Sequence, residues 1–260
     1  MSKLFRATYR WGVVAMPGLA ACCLWELLVM RSDRWQFLFG SPLLVLSSLF
    51  TYVVKGSALV DLLITGAEAV GGFVVGNALG LVVGLGLAYY PRVQNIAKWY
   101  IAGLGAIPIF SLAPMMIMWF GVGYFAKLMM AVFSTFFVTA VQAYTGATQV
   151  DKNYMRLMAS LGATDRQAFI KVAIPSSISF VVASFRLTIG FALLGAFVGE
   201  FISADKGLGY RILKSGGLYD IPGVLSGIVL IIVLAIFLNI CVDKIGQALM
   251  GRTVVGTESR

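Results

Sequence analysis

Histidine is absent from the 260 residues. That removes imidazole metal ligands, histidine general bases and any Ser-His-Asp triad. Charge is scarce as well. Asp, Glu, Lys and Arg make up 12% of the chain, against about 25% in soluble domains, which argues against both disorder and an ordinary water-soluble globule. Cysteine occurs only at Cys22, Cys23 and Cys241, inside apolar runs and without the spacing of a metal site or a disulfide framework. A nucleotide-binding G-x-x-x-x-G-K-[ST] loop fails at Leu213, which precedes Lys214 and Ser215 where glycine is required. No G-x-S-x-G or H-E-x-x-H occurs, no two carboxylates stand one turn apart in an apolar run, and no internal repeat of the secondary-transporter kind is evident. The chain therefore carries no catalytic constellation, and any solute movement it supports must draw energy from elsewhere.

What is abundant is apolar sequence. Hydrophobic residues reach 60% and mean hydropathy is +0.92. A bilayer core of about 30 Å needs roughly 20 apolar residues in a helix. The stretches between charges predict an all-α integral membrane protein, a single transmembrane domain over residues 1–260, with six spans near 11–30, 67–90, 99–120, 126–145, 175–199 and 223–243. The first has a basic start but outlasts a signal-peptide core, so it is expected to be a retained span. The formal charge of +9 lies in short segments beside apolar runs, as in membrane proteins, rather than on a nucleic-acid face. Twelve Lys and Arg residues fall in one set of segments, Arg156, Arg166 and Lys171 among them. Seven fall in the other, including Lys55, Lys127 and Lys206. The bias predicts both termini inside.

Two stretches do not make simple spans. Residues 41–65, with Lys55 and Gly56 in the middle, are expected to lie as one or two helices at the outer surface. Residues 151–174 mix six charges with Leu157, Met158, Leu161, Phe169 and Ile170 at roughly helical spacing. They predict an amphipathic helical segment broken at Gly162, with Pro175 opening the next span.

Inside the spans, Gly72, Gly76, Gly80 and Gly84 recur every fourth residue, so they share one helix face and predict close contact with another helix of the same chain. Pro108 and Pro114 predict a kinked third span, a candidate cavity wall carrying Ser111, Met115 and Trp119. Methionines clustered around Gly121 are expected as adaptable core filler. Arg186 is a cation well inside a span and a candidate for structural pairing or pore lining. Glu68 and Glu200 fall near outer ends, where solvent contact is expected, with Glu200 kept as a pathway candidate.

Four ordered stretches resemble the permeases of bacterial ABC importers, in the nitrate, sulfonate and taurine branch. Gly40 to Val45 is similar to P-S-P-x-x-V. Ile107 to Pro114 with Trp119 to Gly123 resembles P-I-P-x-x-A-x-x-P and W-F-G-I-G. Glu200 and Phe201 with Gly207 to Tyr210 resemble E-F and G-L-G-Y. The segment from Arg156 resembles the signature loop E-A-A-x-x-x-G followed by I-x-L-P: Gly162 matches its glycine, and Ile174 with Pro175 its end. The Glu-Ala-Ala positions carry Arg156, Leu157 and Met158, so the acidic head is missing.

The resemblance implies a type I importer permease that binds no cofactor itself. Its implied partners are a second copy of the chain, two cytoplasmic ABC ATPases holding ATP and Mg, and a periplasmic solute-binding protein. The implied location is the bacterial inner membrane and the implied cargo a small anion. The ATPase-coupling residues would be Arg156, Leu157, Met158, Ser160, Leu161, Gly162, Ala163 and Asp165, and the pathway residues Ser111, Met115, Trp119, Arg186 and Glu200. A stand-alone channel or carrier, or a scaffold subunit without a pore, is the alternative in other classes.

Overall fold

A computed structural model describes residues 16–255 apart from Leu19, Gly56 and Ala204. The described residues are helical with short joints: α1 Met16–Val29, α2 Asp33–Phe39, α3 Pro42–Val54, α4 Ser57–Tyr89, α5 Pro91–Gly105, α6 Ile109–Phe120, α7 Tyr124–Thr148, α8 Lys152–Ser160, α9 Asp165–Ala168, α10 Ile174–Ser203, α11 Leu208–Gly217 and α12 Ile221–Val255. Four helices are long and apolar enough to cross a membrane, and two sharply bent pairs bring the number to as many as six. The chain divides into two compact units.

The smaller unit runs to Val60 and adds Arg211–Leu230. Ser32 caps α2 by accepting the Arg34 N–H. Gly40 follows at φ +65°, a left-handed turn that lets Pro42 begin α3. The Ser41 hydroxyl donates one bond shared between the two carboxylate oxygens of Glu26, at 2.8 and 3.0 Å. Ser48 meets Ser226, and the Arg211 guanidinium lies 4.6 Å from the Tyr52 ring centroid. Residues 1–15, which open the expected first span, lie outside the described residues.

The larger unit is Asp61–Tyr210 with the residues from Ile231 onward. Its centre is α7, whose buried face carries mostly small side chains. Ala131, Thr135, Thr139, Ala140 and Ala143 are buried there. On one side lies the glycine stripe of α4. A Cβ at Gly72 or Gly76 would overlap Ala131 or Thr135, and one at Gly80 would come within 2.6 Å of the Phe136 carbonyl oxygen. Gly84 faces Ala140 and Ala143. On the other side α10 approaches through Gly195, whose Cβ would meet Ala131 Cα at 2.7 Å. Small residues on three helices let backbones come close enough for dispersion to hold them where lipid offers no hydrophobic drive. Asn77 Oδ1 ties the three together, accepting from Thr139 at 2.6 Å and Thr188 at 3.1 Å.

Several expected boundaries move. Helix α4 starts at Ser57, ten residues before the expected span, shortly after α3 ends at Val54. The expected third span is two helices bent by 92°, Trp99–Gly105 and Ile109–Phe120. Pro108 lacks an N–H and stands as the N-cap of α6. Pro114 is accommodated inside α6.

Pro175 does not open a span. The helix runs on from Asp165 to Ser203 through a π-turn over Phe169–Ala173, with the Ile174 N–H bonded to the Phe169 carbonyl. The wide turn takes up the clash and the missing donor that proline brings to a helix interior. The methionines split: Met116 and Met130 are core, with Ala113, Ala126 and Val198, while Met118 is exposed.

Candidate functional site

The segment between α7 and α10 is a rigid elbow built by local bonds. Asp151 caps α8 by accepting the Asn153 N–H at 2.8 Å. At the far end Gly162 takes φ +72°. Its N–H donates to the Ala159 carbonyl and the Ala163 N–H to that of Met158, both at 3.0 Å. That pair of bonds is the Schellman stop, which favours glycine at the left-handed position. Thr164 then caps α9 in a reciprocal box with Gln167. One helix is thus ended and the next begun within four residues.

Little of α8 is buried. Tyr154, Leu157 and Leu161 are 60%, 55% and 72% exposed. With half-buried Met158 they stand at i, i+3, i+4 and i+7, one helix face. Arg156, Ser160 and Asp165 are exposed and Ala163 is half-buried. Tyr154 was not among the sequence candidates, although its spacing to Leu157 and Leu161 carries the signal. This exposed apolar face is flanked by Lys152, Arg156 and Arg166.

The pathway candidates do not converge. Ser111, Met115 and Trp119 line one exposed face of α6, and the Ser111 hydroxyl donates to the Pro108 carbonyl. Arg186 Nε lies 2.7 Å from Asp243 Oδ1 in a pair about half exposed. Glu200 stands on the same helix as Arg186, fourteen residues further along α10, which is about 21 Å at the usual rise.

Glu200 and Glu68 are both fully buried, not solvated as expected, and partners explain it. Glu200 Oε1 accepts from Thr65 at 2.6 Å and Oε2 from the Gly209 N–H at 2.7 Å. The Leu208 N–H donates to Thr65 Oγ1 and the Gly207 N–H to Asp61 Oδ1. Three successive amides at the start of α11 are therefore held by side chains of α4 and α10. Carboxylates are favoured at such an end. A Cβ at Gly207 would overlap the Glu200 carboxylate, so the E-F and G-L-G-Y stretches form one latch. Glu68 pairs with Lys127, Nζ to Oε1 at 2.5 Å. Lys127 was expected in a solvent-side loop. Gly121 and Gly123, both at positive φ, turn the chain so that it enters the first turn of α7 facing inward. The pair borders a cleft of about 620 Å³ shared with Ser203, Asp205 and Lys206.

The described residues have the fold of a multi-pass, all-α membrane protein. The chain belongs to the family described as binding-protein-dependent transport system inner membrane component, whose profile matches residues 76–253. It is thus an ABC importer permease with likeness to the sulfonate branch. It is 30% identical over 179 residues to the formylaminopyrimidine transport permease protein ThiX of Halalkalibacterium halodurans, covering 69% of this chain and 72% of that protein. The aliphatic sulfonates transport permease protein SsuC of Bacillus subtilis, a putative assignment in its own name, is 22% identical, with 86% and 82% covered. The riboflavin transport system permease protein RibX of Chloroflexus aurantiacus is 26% identical, with 82% and 81% covered. A chain of the MetNI methionine ABC transporter, solved in inward-facing conformations, superposes with a TM-score of 0.66 at 18% identity over 75% of this chain and 97% of that one. That last likeness is one of fold.

Proposed function

We propose that the α8–α9 elbow is the handle by which a cytoplasmic ATPase drives this permease. The observation that carries it is the exposed apolar face of α8, set on a turn fixed by its own hydrogen bonds. Tyr154, Leu157 and Leu161 enter a groove of the ATPase, and Arg156 and Asp165 make polar contacts at its rim. ATP and Mg are bound and used on that subunit, not here. A rigid elbow passes motion on without absorbing it, and α9 continues into α10 as one helix. Closure of two ATPases then moves packed spans as bodies. Two copies of the chain form the pathway, with both termini on the ATPase side and a solute-binding protein delivering cargo from the opposite face.

The cargo proposed is a small anion such as nitrate, a sulfonate or taurine. The motif resemblance and the SsuC likeness support it. A second solute class, a neutral heterocycle, is favoured by the higher identity to ThiX. For the pathway we propose the exposed α6 face of Ser111, Met115 and Trp119, with Arg186 beyond it. Glu200 is committed to the α11 latch.

The test is co-purification of the ATPase with Leu157→Asp and Leu161→Asp. Both sites are exposed, so membrane insertion and thermal stability should hold while the ATPase is lost. Retention of the ATPase at wild-type level by both variants overturns the assignment.

A further inference from the structure

We infer that the smaller unit carries a binding site for an oxyanion, a sulfonate or phosphate group, in a cleft of about 380 Å³ between α3, the start of α4 and α11. Helix α3 presents Ser47, Thr51 and Lys55 at i, i+4 and i+8, with Ser48 beside them. These residues form a ladder of hydroxyls ending in an ammonium. Ser57 adds a fourth hydroxyl, and Arg211 closes the cleft.

No carboxylate is among the lining residues. Two cations on one small cleft repel each other unless an anion joins them. The Arg211 guanidinium is held 4.6 Å from the Tyr52 ring centroid, and Tyr52 is buried. Arg211 Nε is itself buried and has no hydrogen-bond partner among the described residues. A buried, oriented guanidinium nitrogen without an acceptor is costly. An oxyanion in the cleft supplies acceptors for the Lys55 ammonium and for the part of the Arg211 side chain that lines the cleft, and the hydroxyls complete its shell by donating. A neutral ligand would leave the two positive charges uncompensated, and a cationic one would add to them.

The same chemistry is presented by a free sulfonate solute and by the phosphate of an anionic lipid. The site is independent of the coupling handle, and its loss would leave ATPase docking untouched.

The experiment uses the full chain in phosphatidylcholine nanodiscs, titrated calorimetrically with methanesulfonate and with inorganic sulfate. In parallel, native mass spectrometry on phosphatidylglycerol nanodiscs reads retained lipid. Saturable binding of at least one probe is expected, weakened by at least about threefold in Lys55→Gln and more in Arg211→Gln, since charge-assisted bonds are lost. Lys55 is exposed, so its variant tests the site even where Arg211→Gln fails to fold. Methanesulfonate binding that persists in phosphatidylglycerol identifies a solute site. Retained phosphatidylglycerol that displaces methanesulfonate identifies a headgroup site. Absence of saturable binding by every probe, or a smaller loss than that in Lys55→Gln, overturns the inference.

Discussion

Glycine does opposite jobs in two regions of the larger unit. At Gly162 nothing lies within 4 Å of where a Cβ would stand, and the backbone is left-handed. At Gly76 the helix is regular, but a Cβ would overlap Thr135 of α7. The elbow needs glycine for its conformation and has space to spare. The core needs it for its missing atoms and has none. The same split runs through the polar groups. Bonds in the elbow are local and exposed, whereas Lys127, Glu68, Asn77 and Glu200 join different helices out of solvent. A handle must be stiff in itself and free outside, and a bundle that moves as a body must be stiff throughout.

The comparison can be broken at its strongest point first. Lys127→Ala leaves Glu68 buried and unpaired, a loss of about 3–5 kcal/mol. Thermal unfolding in detergent should show it, and Lys127→Met with Glu68→Gln should recover most of it. If Lys127→Ala unfolds as the wild type does, the pair is not buried. Next, Gly76→Leu overpacks the α4–α7 contact at a cost of about 1–3 kcal/mol or more, and the same assay should register poor recovery of folded protein. Gly162→Val should cost about 1–2 kcal/mol from left-handed strain alone, with the unfolding temperature lowered by only a few degrees and ATPase coupling lost. A large fall in stability there would mean that the elbow packs against the core. The smallest effect is expected at Thr164→Ala, about 1 kcal/mol of capping confined to α9, visible as faster hydrogen exchange at the Gln167 amide.

Much of this contrast was legible in the sequence. Apolar run length gave the helical membrane class, because lipid leaves a spanning backbone few choices. The four-residue glycine period gave the packing face, and the Gly162 break followed from glycine interrupting an amphipathic pattern. The buried polar groups were not legible. Glu68, Lys127 and Glu200 are each near the end of an apolar run, where a charge normally reaches water. Their burial depends on which helix ends meet, and periodicity does not encode that. The Glu200 latch was visible only as a resemblance between two short stretches, without its partners Asp61 and Thr65. Pro175 misled because a proline normally starts a helix or breaks one, and the π-turn before it does neither. Tyr154 was missed because the tyrosine stands three residues before the named apolar set, although it completes the same face.

The central claim is that the α8 face is gripped by an external ATPase. A photo-reactive side chain placed at Leu157, with Val74 on α4 as an exposed control, tests it in intact membranes that contain the ATPase. The account predicts a crosslink to the ATPase from Leu157 and none from Val74. Capture of lipid alone from both positions would contradict it.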